Sequence, residues 1–349
     1  MSTKRHLRTS WPAVAAAFVQ EIDHGDLHPV PMLRSLAEHQ KESRRGGKPS
    51  RWALAFSGGA DSLALLLIFW AEGRGRWGRD FVVLHFDHRL RGAASTADAR
   101  FCRQVCRALG VACVVGRWSG ARKGASEAEA RAARQAFFAR EMKRRNLRLL
   151  WLAHQQDDIA ETMLMRLARG SGAGGLAAPR PVQEMSDGRI HLRPMLTLKK
   201  SEIEKALRKA GAVWREDASN QRDDHFRNRV RRSVLPAWLK AAGRDAVAGA
   251  ARSRELLEED ETALEAWVDQ IACLRRGVLD VTALRGLPRA VVRRALHRWL
   301  LAVRPATDLS RQGFEMLLAA VEKGAPTRFS LGRTDFAVIR QGRLALKRG

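Results

Sequence analysis

Residues 52–69 read WALAFSGGADSLALLLIF. Trp52 to Phe56 is a short apolar run of strand length, and the apolar run after Asp61 is typical of a buried helix. The residues between them, SGGADS, contain two glycines that allow a sharp turn and a close approach of the backbone to a ligand. The N–H groups in the first turn of the following helix, together with its dipole, attract an anion. The stretch therefore predicts a phosphate-binding loop between a strand and a helix.

This loop differs from the Walker loop, because it lacks the terminal Gly-Lys-Ser/Thr and contains no lysine. It resembles instead the SGGxDS loop of enzymes that cleave ATP between its α and β phosphates and grip the departing pyrophosphate. The resemblance implies that ATP is a co-substrate and that Asp61 is also a candidate Mg²⁺ ligand. The residues implied to bind ATP are Ser57, Gly58, Gly59, Ala60, Asp61 and Ser62.

The composition indicates a globular, strongly basic protein. The 349 residues are 45% hydrophobic, which allows two or three domains with their own cores. Lysine and arginine number 63 against 37 aspartates and glutamates, a formal net charge of +26. Such a charge favours nucleic acid as a partner, although an acidic membrane surface or a generally arginine-rich proteome would also explain it.

Cysteine usage and hydropathy predict the compartment. The four cysteines form no CxxC pair and no zinc-like array, so neither a disulfide framework nor a metal cluster is expected. No apolar run approaches the roughly 20 residues of a membrane span. The basic N-terminus followed by WPAVAAAFV is interpreted as an amphipathic helix rather than a targeting peptide, because acidic residues follow at once. A cytoplasmic protein without a membrane partner is predicted.

From residue 51, apolar strands alternate with helical patterns, which is typical of a parallel sheet covered on both faces. Ligands of such sheets bind beyond the carboxyl ends of the strands, where SGGADS lies. The fold class is therefore α/β with a doubly wound parallel sheet, followed by a smaller, mainly helical basic domain. The predicted strands are 52–56, 81–86, 111–115, 147–153 and 190–192, and the predicted helices are 61–72, 95–109, 126–145 and 158–167.

Three domains are predicted. Residues 1–48 are an N-terminal extension with a helix at 12–21 and another from residue 31, and residues 49–235 are the ATP-binding catalytic domain. Residues 236–349 are the basic domain, in which the arginine-rich helix 289–301 is expected to contact nucleic acid. Its other predicted elements are helices 246–268 and 311–322 and hairpin strands 327–331, 336–340 and 343–347.

Polar residues follow the second and fourth strands. Asp158 and Glu161 lie three apart at a helix start, so both carboxylates can project on one side. Complementing the helix dipole explains a lone pair of this kind more often than catalysis does, but its position facing the phosphate loop favours binding of an ammonium group, Mg²⁺ or both. His85, Asp87 and His88 lack further ligands to complete a metal shell, and substrate or nucleotide contact is preferred.

These motifs resemble one family, bacterial tRNA(Ile)-lysidine synthetase of the PP-loop ATP pyrophosphatase superfamily. The resemblance covers residues 50–236, and residues after 236 look, more weakly, like the family's tRNA-binding domain. One departure is Gln135, where relatives commonly have tyrosine; this chain contains no tyrosine. The motifs in order are SGGADS, HFDHRLR, EAEARAAR, AHQQDDIAET, RLARGSGAGGL, RPML and WREDASNQRDDHFRNRVR, with matching positions in the last at Trp214, Asp217, Ser219, Asn220, Arg227, Asn228 and Arg231.

The family resemblance implies a two-step reaction. ATP adenylates O2 of the wobble cytidine, position 34, in the CAU anticodon of tRNA(Ile) and releases pyrophosphate. Free L-lysine then displaces AMP at C2, which gives lysidine. Such a ligase works on an anticodon base that is splayed out of its stack into the pocket.

The same resemblance implies roles for individual side chains. Asp158 and Glu161 would receive the lysine ammonium group, His154 would help to order them, and Arg193 would contact the cytidine. With Asp61 these are the expected catalytic residues. Expected contacts to phosphate or substrate are His88, Arg91, Arg131, Arg134, Arg166 and Arg169, although a solvated helix face would equally explain Arg131 and Arg134.

Two alternatives remain at this point. A tRNA-thiolating enzyme with the same loop is the first, but those that make 2-thiocytidine use cysteine pairs that this chain lacks. A non-catalytic tRNA-binding protein that kept the fold is the second, and it has no need to keep Asp61, Ser62, Asp158 and Glu161. The sequence leaves the oligomeric state open, with a dimer as one option.

Overall fold

The structure is a computed structural model that describes residues 10–22, 52–72, 81–122, 124–216, 226–304, 309–332 and 334–348. The chain divides into two compact units, Met1–Glu255 and Leu256–Gly349. This division falls inside one long helix, Ala246–Ile271, beyond the predicted limit at residue 235. The helix predicted from residue 31 lies outside the described residues, and the domain limits at 48 and 235 stay predictions.

The first unit alternates strands and helices as predicted. Its strands are β1 (Trp52–Ala55), β2 (Phe81–Asp87), β3 (Ala112–Arg117), β4 (Leu149–Trp151), β5 (Val182–Glu184) and β6 (Ile190–Leu192). Its helices are α1 (Trp11–Glu21), α2 (Ala60–Glu72), α3 (Ala93–Leu109), α4 (Glu127–Arg144), α5 (Gln156–Leu167), α6 (Ala173–Leu176), α7 (Lys200–Lys209), α8 (Phe226–Arg229), α9 (Leu235–Ala242) and the start of α10 (Ala246–Ile271). A π-helical turn, Val230–Val234, joins α8 to α9.

These strands form one sheet in the order β3-β2-β1-β4-β6-β5. The pairs from β3 to β6 are parallel, and β5 alone pairs antiparallel at the edge. The strand order reverses between β1 and β4, so their carboxyl ends flank the crevice in which doubly wound folds bind ligands. The predicted doubly wound parallel sheet is confirmed. The sequence did not predict the short edge strand β5.

The alternation of side chains along β1 covers both faces of the sheet. Trp52 and Leu54 point to one face, where α1, α2, α3 and α7 contribute the largest apolar cluster. Ala53 points to the other face and belongs to the cluster with Phe137 and Phe138 of α4. Gly116 on β3 faces the same aromatic residues, because a Cβ there would come within 2.4 Å of the Phe137 ring.

Helix α1 is part of this core. Trp11, Val14, Ala15 and Phe18 are buried in the same cluster as the apolar side chains of α2. Trp11 meets Phe101 of α3 edge-on, with ring centroids 6.0 Å apart. The segment expected as an extension therefore supplies one covering helix of the sheet.

The second unit contains more sheet than its mainly helical prediction implied. After the end of α10 come β7 (Leu274–Arg275), β8 (Val278–Asp280), a 3₁₀ turn (Thr282–Leu284), α11 (Arg289–Val303), α12 (Arg311–Lys323), β9 (Thr327–Ser330), β10 (Asp335–Arg340) and β11 (Arg343–Arg348). The strands form an antiparallel sheet in the order β7-β8-β11-β10-β9. Apolar residues of α11 and α12 pack with one face of this sheet in a single core.

Among the described helices, none combines the length and the apolar character needed to cross a membrane. The cytoplasmic location stays a prediction.

Candidate active site

The SGGADS loop connects β1 to the start of α2, and hydrogen bonds of its own serines stabilise the turn. Ser62 Oγ accepts a hydrogen bond from the Ser57 N–H at 3.2 Å and donates one to the Gly59 carbonyl oxygen at 3.0 Å. Gly58 adopts a φ of +94°, and a Cβ there would lie 3.2 Å from Cys102 Sγ, so this position requires glycine. Because first-turn N–H groups lack intrahelical partners, the loop at the start of α2 suits a phosphate.

Asp61 lies in the first turn of α2 and has an unused buried oxygen. Its Oδ1 has no hydrogen-bond partner among the described residues. Burial and then the carboxylate of Asp158 raise the pKa of Asp61 from 3.8 to about 7, against the opposing effect of Lys200 and Arg231. A half-buried carboxylate that has a buried oxygen without a described hydrogen-bond partner, and a second carboxylate nearby, has the character of a cation ligand.

Asp158 and Glu161 lie on the first turns of α5, as the sequence predicted, and both are buried. The Gln155 N–H donates to Asp158 Oδ2 at 3.0 Å, which fixes one oxygen of that carboxylate. Since Asp158 affects the pKa of Asp61, the structure brings the predicted loop carboxylate and the predicted α5 pair together. The loop after β1 and the helix after β4, which lie on either side of the strand-order reversal, thus contribute carboxylates to one site.

Two arginines already balance the α5 carboxylates. Arg227 Nε lies 2.8 Å from Glu161 Oε2, and Arg227 Nη2 binds Asp158 Oδ1. Arg231 Nη2 lies 3.0 Å from Glu161 Oε2. Glu161 is only 1% exposed, and a charge buried this deeply requires such partners. The sequence interpretation assigned no role to these arginines.

The backbone around residue 230 explains why both arginines reach the same carboxylate. Arg227 lies on α8 and Arg231 in the π-helical turn that precedes α9. Pro236 in the first turn of α9 has no N–H, so the regular α-helical hydrogen bond cannot form there and the wider turn takes its place. Positions four apart lie on one side of a helix, which points both guanidinium groups at Glu161.

A cluster of positive charge surrounds His154 at the carboxyl end of β4. Burial, followed by Arg193, Arg227, Arg134 and Arg131, lowers the pKa of His154 well below its usual 6.5, so the ring is neutral at pH 7. Burial and then Arg131 also lower the pKa of Arg193 to about 10. Excess cationic charge of this kind favours an anionic ligand.

The predicted residues in this cluster differ in their freedom. Arg193 is buried and held by the Arg180 carbonyl oxygen at 2.7 Å and Gln183 Oε1 at 2.8 Å. Arg166 donates to the Gly175 carbonyl oxygen and so holds the glycine-rich turn. Arg131 and Arg169 are exposed, and both lower the pKa of Arg166, which places the three guanidinium groups near one another.

The residues after β2 have structural partners. The His88 ring packs edge-on against Phe86 and Trp118, with centroids 4.9 Å and 6.3 Å away. Arg91 Nη2 binds Asp98 Oδ2 at 2.6 Å. In the described part of the chain no three histidine, cysteine or acidic side chains are placed to hold a metal ion.

Asp98 links this segment to the phosphate loop. The carboxylate also accepts a hydrogen bond from Arg215 Nε at 2.7 Å, and the Arg215 N–H donates to the Gly58 carbonyl oxygen at 2.9 Å. Arg215 thus connects the loop to Asp98, and Arg91 binds the same carboxylate. Sequence reasoning missed Asp98 and Arg215, because the two are joined only by the fold; Asp217, Ser219 and Asn220 of the same motif lie outside the described residues.

Comparisons with known proteins agree with this geometry. A family model described as the PP-loop domain matches residues 31–238, and one described as the TilS substrate binding domain matches residues 279–345. The tRNA(Ile)-lysidine synthase of Xanthomonas campestris pv. campestris is 35% identical over 306 residues, which cover 84% of this chain and 68% of that protein. The chain belongs to the tRNA(Ile)-lysidine synthase family.

Other members of the tRNA(Ile)-lysidine synthase family match less of their own length. The protein of Geobacter sulfurreducens is 37% identical, with 76% of this chain and 57% of that protein covered. The Bacillus subtilis protein is 40% identical, with 60% and 44% covered. The chain therefore spans about half the length of these curated relatives.

A solved structure supports the fold alone. The U34-tRNA thiolase NcsA from Methanococcus maripaludis superposes with a TM-score of 0.50 at 13% identity, over 70% of this chain and 78% of that chain. The similar lysidine synthases confirm the expected family, and the PP-loop domain match together with this superposition confirms the expected fold. The individual roles of the site residues stay predictions.

Proposed function

We propose that this protein uses ATP to join free L-lysine to C2 of the wobble cytidine in the CAU anticodon of tRNA(Ile), releasing AMP and pyrophosphate. One observation carries the proposal. Asp61 of the phosphate loop and the Asp158–Glu161 pair of α5 are close enough for Asp158 to raise the pKa of Asp61. The loop proposed to hold the leaving phosphate and the pair proposed to hold an ammonium group would then be adjacent, as a ligation through an adenylated intermediate requires.

In the first step the cytidine O2 attacks the α-phosphorus of ATP, and pyrophosphate leaves. The N–H groups at the start of α2, with Ser57 and Ser62, would stabilise the charge that develops on the departing oxygens. Arg131, Arg134 and Arg169 would orient the anionic substrates from the cationic side of the site. Arg193, fixed by Arg180 and Gln183, would present its guanidinium group to the cytidine without a loss of side-chain entropy.

Magnesium fits the residues present. Mg²⁺ is held by one or two carboxylates together with substrate phosphates, and Asp61 offers a buried oxygen without a described partner. Asp61 would hold the ion, which supplies positive charge against the pyrophosphate when bound. Deprotonation of Asp61, whose pKa lies at about 7, would accompany binding.

In the second step one amine of lysine, in its neutral form, attacks C2; the bond from C2 to the AMP oxygen breaks, and the attacking nitrogen gives up a proton to solvent. The other amine remains an ammonium group. The charges of the site suit a lysine ammonium group. Arg227 contacts both Asp158 and Glu161, and Arg231 binds Glu161, so Asp158 shares its cation with a second carboxylate. An ammonium group at Asp158 would supply a cation of its own, with Arg227 and Arg231 retaining Glu161.

The test is the transfer of radiolabelled lysine to unmodified tRNA(Ile) with a CAU anticodon. Label should appear only with ATP and should vanish when the wobble C is replaced by U. Sulfur incorporation instead of lysine would identify a thiolating enzyme, and tRNA binding without ATP consumption would identify a silent binding protein. Sedimentation of the same preparation measures the oligomeric state.

A further inference from the structure

The arginines of α11, which the sequence suggested for nucleic-acid contact, are occupied within the second unit. Arg294 binds Glu261 and lies 3.0 Å from Glu265. Arg293 binds Glu315, which also lies 3.3 Å from Arg289. Arg298 pairs with Glu265 and Asp269. These side chains form ion pairs with neighbouring helices, so other cationic groups of the unit are better placed to bind an outside partner.

The antiparallel sheet of the same unit has two different faces. Leu279, Leu344, Ile339 and Ala337 are buried in the core with α11 and α12. Residues that alternate with them point to the opposite face. Because paired residues share a face, the register identifies three rows there: Asp280–Arg343–Arg340, Arg275–Val278–Ala345–Val338–Arg328 and Lys347–Phe336–Ser330. These rows are called the outer sheet face below.

The outer sheet face is cationic at its rim and small and apolar at its centre. Its five basic residues are all exposed, against one acidic residue. That residue, Asp280, already accepts hydrogen bonds from the hydroxyl and N–H of Thr282 at 2.6 Å and 2.9 Å. Arg275 and Arg328 lie four strand spacings apart, about 19 Å. The positive charge is therefore spread across the width of the sheet.

Two contacts on this face favour a bound anion. Arg340 and Arg343 are directly opposite one another across the β10–β11 hairpin, where like charges repel. Asp280 lies opposite Arg343 on its other side, so within these rows Arg340 has no acidic neighbour, and an anion bound there would relieve the repulsion. The guanidinium carbon of Arg328 stands 3.9 Å from the centroid of the Phe336 ring, which fixes its plane. Held arginines of this kind bind phosphate oxygens with two hydrogen bonds.

We propose that the outer sheet face binds the phosphate backbone of the tRNA, with Arg275, Arg328, Arg340, Arg343 and Lys347 as the contacting groups. This inference rests on the proposed function, which makes tRNA the substrate. RNA fits better than a membrane surface, since the apolar residues at the centre, Val278, Ala345 and Val338, are half-buried and too short to insert among lipid chains.

The test compares two double variants of the full chain with equal loss of charge. Arg340→Ser with Arg343→Ser removes the opposed pair, and Arg311→Ser with Lys323→Ser removes two exposed charges from α12. Binding to tRNA(Ile) is measured by filter retention without ATP or lysine, over a series of KCl concentrations. Thermal unfolding of the first variant should lie close to that of the parent, because the repulsion between the two arginines and the attraction between Arg343 and Asp280 are lost together.

The sheet variant should bind tRNA about tenfold more weakly at low salt, and the slope of log K against log salt should fall by about 1.5. The α12 variant should keep the parent slope. An unchanged affinity and slope in the sheet variant overturns the proposal, as does a loss of binding to phosphatidylserine vesicles with tRNA binding intact. Lysine transfer is measured on the parent alone, so a failure of the proposed reaction there is distinguished from a loss of tRNA binding in the sheet variant.

Discussion

At the scale of single residues, the site depends on how buried charges are paired. Glu161 and Asp158 were chosen from a spacing that helix dipoles also explain, and the structure adds the partners that distinguish the two explanations. A residue that only complements a dipole has no need of Arg227 and Arg231, because a surface carboxylate is hydrated. The pairing indicates a preformed ionic site.

Asp158→Asn should weaken the use of lysine while leaving tRNA binding nearly intact. The amide keeps the hydrogen bond from Gln155 but loses the charge that would receive an ammonium group. We expect the KM for lysine to rise about tenfold or more, from a loss of roughly 1.5–3 kcal/mol in a charge-assisted hydrogen bond. Asp187→Asn, in the exposed turn between β5 and β6, is the matched control. Equal lysine saturation in variant and parent would remove the assignment.

His191 predicts a pH effect on stability. Burial and then Arg193 lower the pKa of His191 to about 4, whereas the unfolded chain has the ordinary 6.5. The native state therefore binds fewer protons in this window, and the free energy of unfolding falls as the pH drops from 6.5 toward 4. Between pH 7 and pH 4.5 the parent should lose about 2 kcal/mol that His191→Gln does not lose.

Urea unfolding of both proteins at the two pH values measures this difference directly. The substitution also changes packing, but that cost is common to both pH values and cancels. Parallel pH profiles for parent and variant would show that His191 is not held neutral by the fold.

At the scale of elements, ion pairs connect the helices of the second unit, so the arginines of α11 bind neighbouring helices rather than a ligand. Arg294 and Glu261 have side chains only 14% and 10% exposed. Arg289 is 56% exposed beside Glu315. Because solvent screens exposed pairs, the Arg294–Glu261 pair is expected to contribute measurably to the packing of α10 against α11, and the Arg289–Glu315 pair little to the packing of α11 against α12.

Arg294→Ala should therefore destabilise the second unit, by about 3 kcal/mol, because the nearly buried carboxylate of Glu261 loses its ion pair with Arg294. Arg289→Ala on the same helix should cost less than about 1 kcal/mol. Denaturant unfolding followed by circular dichroism compares them. Similar losses in the two variants would mean that burial does not distinguish these pairs.

At the scale of the whole molecule, the net charge of +26 is not evenly available. The arginines of α11, and Arg91, Arg227 and Arg231, form ion pairs with carboxylates of the same chain. Exposed groups such as Arg131 and Arg169 in the first unit, and those of the outer sheet face in the second, remain for a polyanion. Composition alone indicates the sign of the partner's charge, and only the fold locates it.

The sequence by itself determined the phosphate loop, the alternation of β1 to β4 with their helices, the family, and the placement of Asp61, Asp158 and Glu161 at strand ends. These follow from local signals: glycines that allow positive φ, apolar periodicity and helix-start carboxylates. The short strands β5, β7 and β8 were missed, since each has at most one buried residue and so shows no apolar pattern, whereas the equally short β6 is buried throughout and was predicted. Helix α1 became core rather than extension because its apolar face meets α2 and α3.

Only the tertiary structure decided which charges are partners. Arg227 and Arg231 lie about 70 residues from the carboxylates they bind, as shown by separations of 66 and 70 positions to Glu161. Arg215 reaches Asp98 across 117 positions. Such pairings depend on strand order and on how helices pack over the sheet, and no local pattern contains them. The sequence does not show whether a basic residue is paired within the fold or exposed to a ligand. The two cases differ in burial and in ion-pair partners, which only the tertiary structure defines.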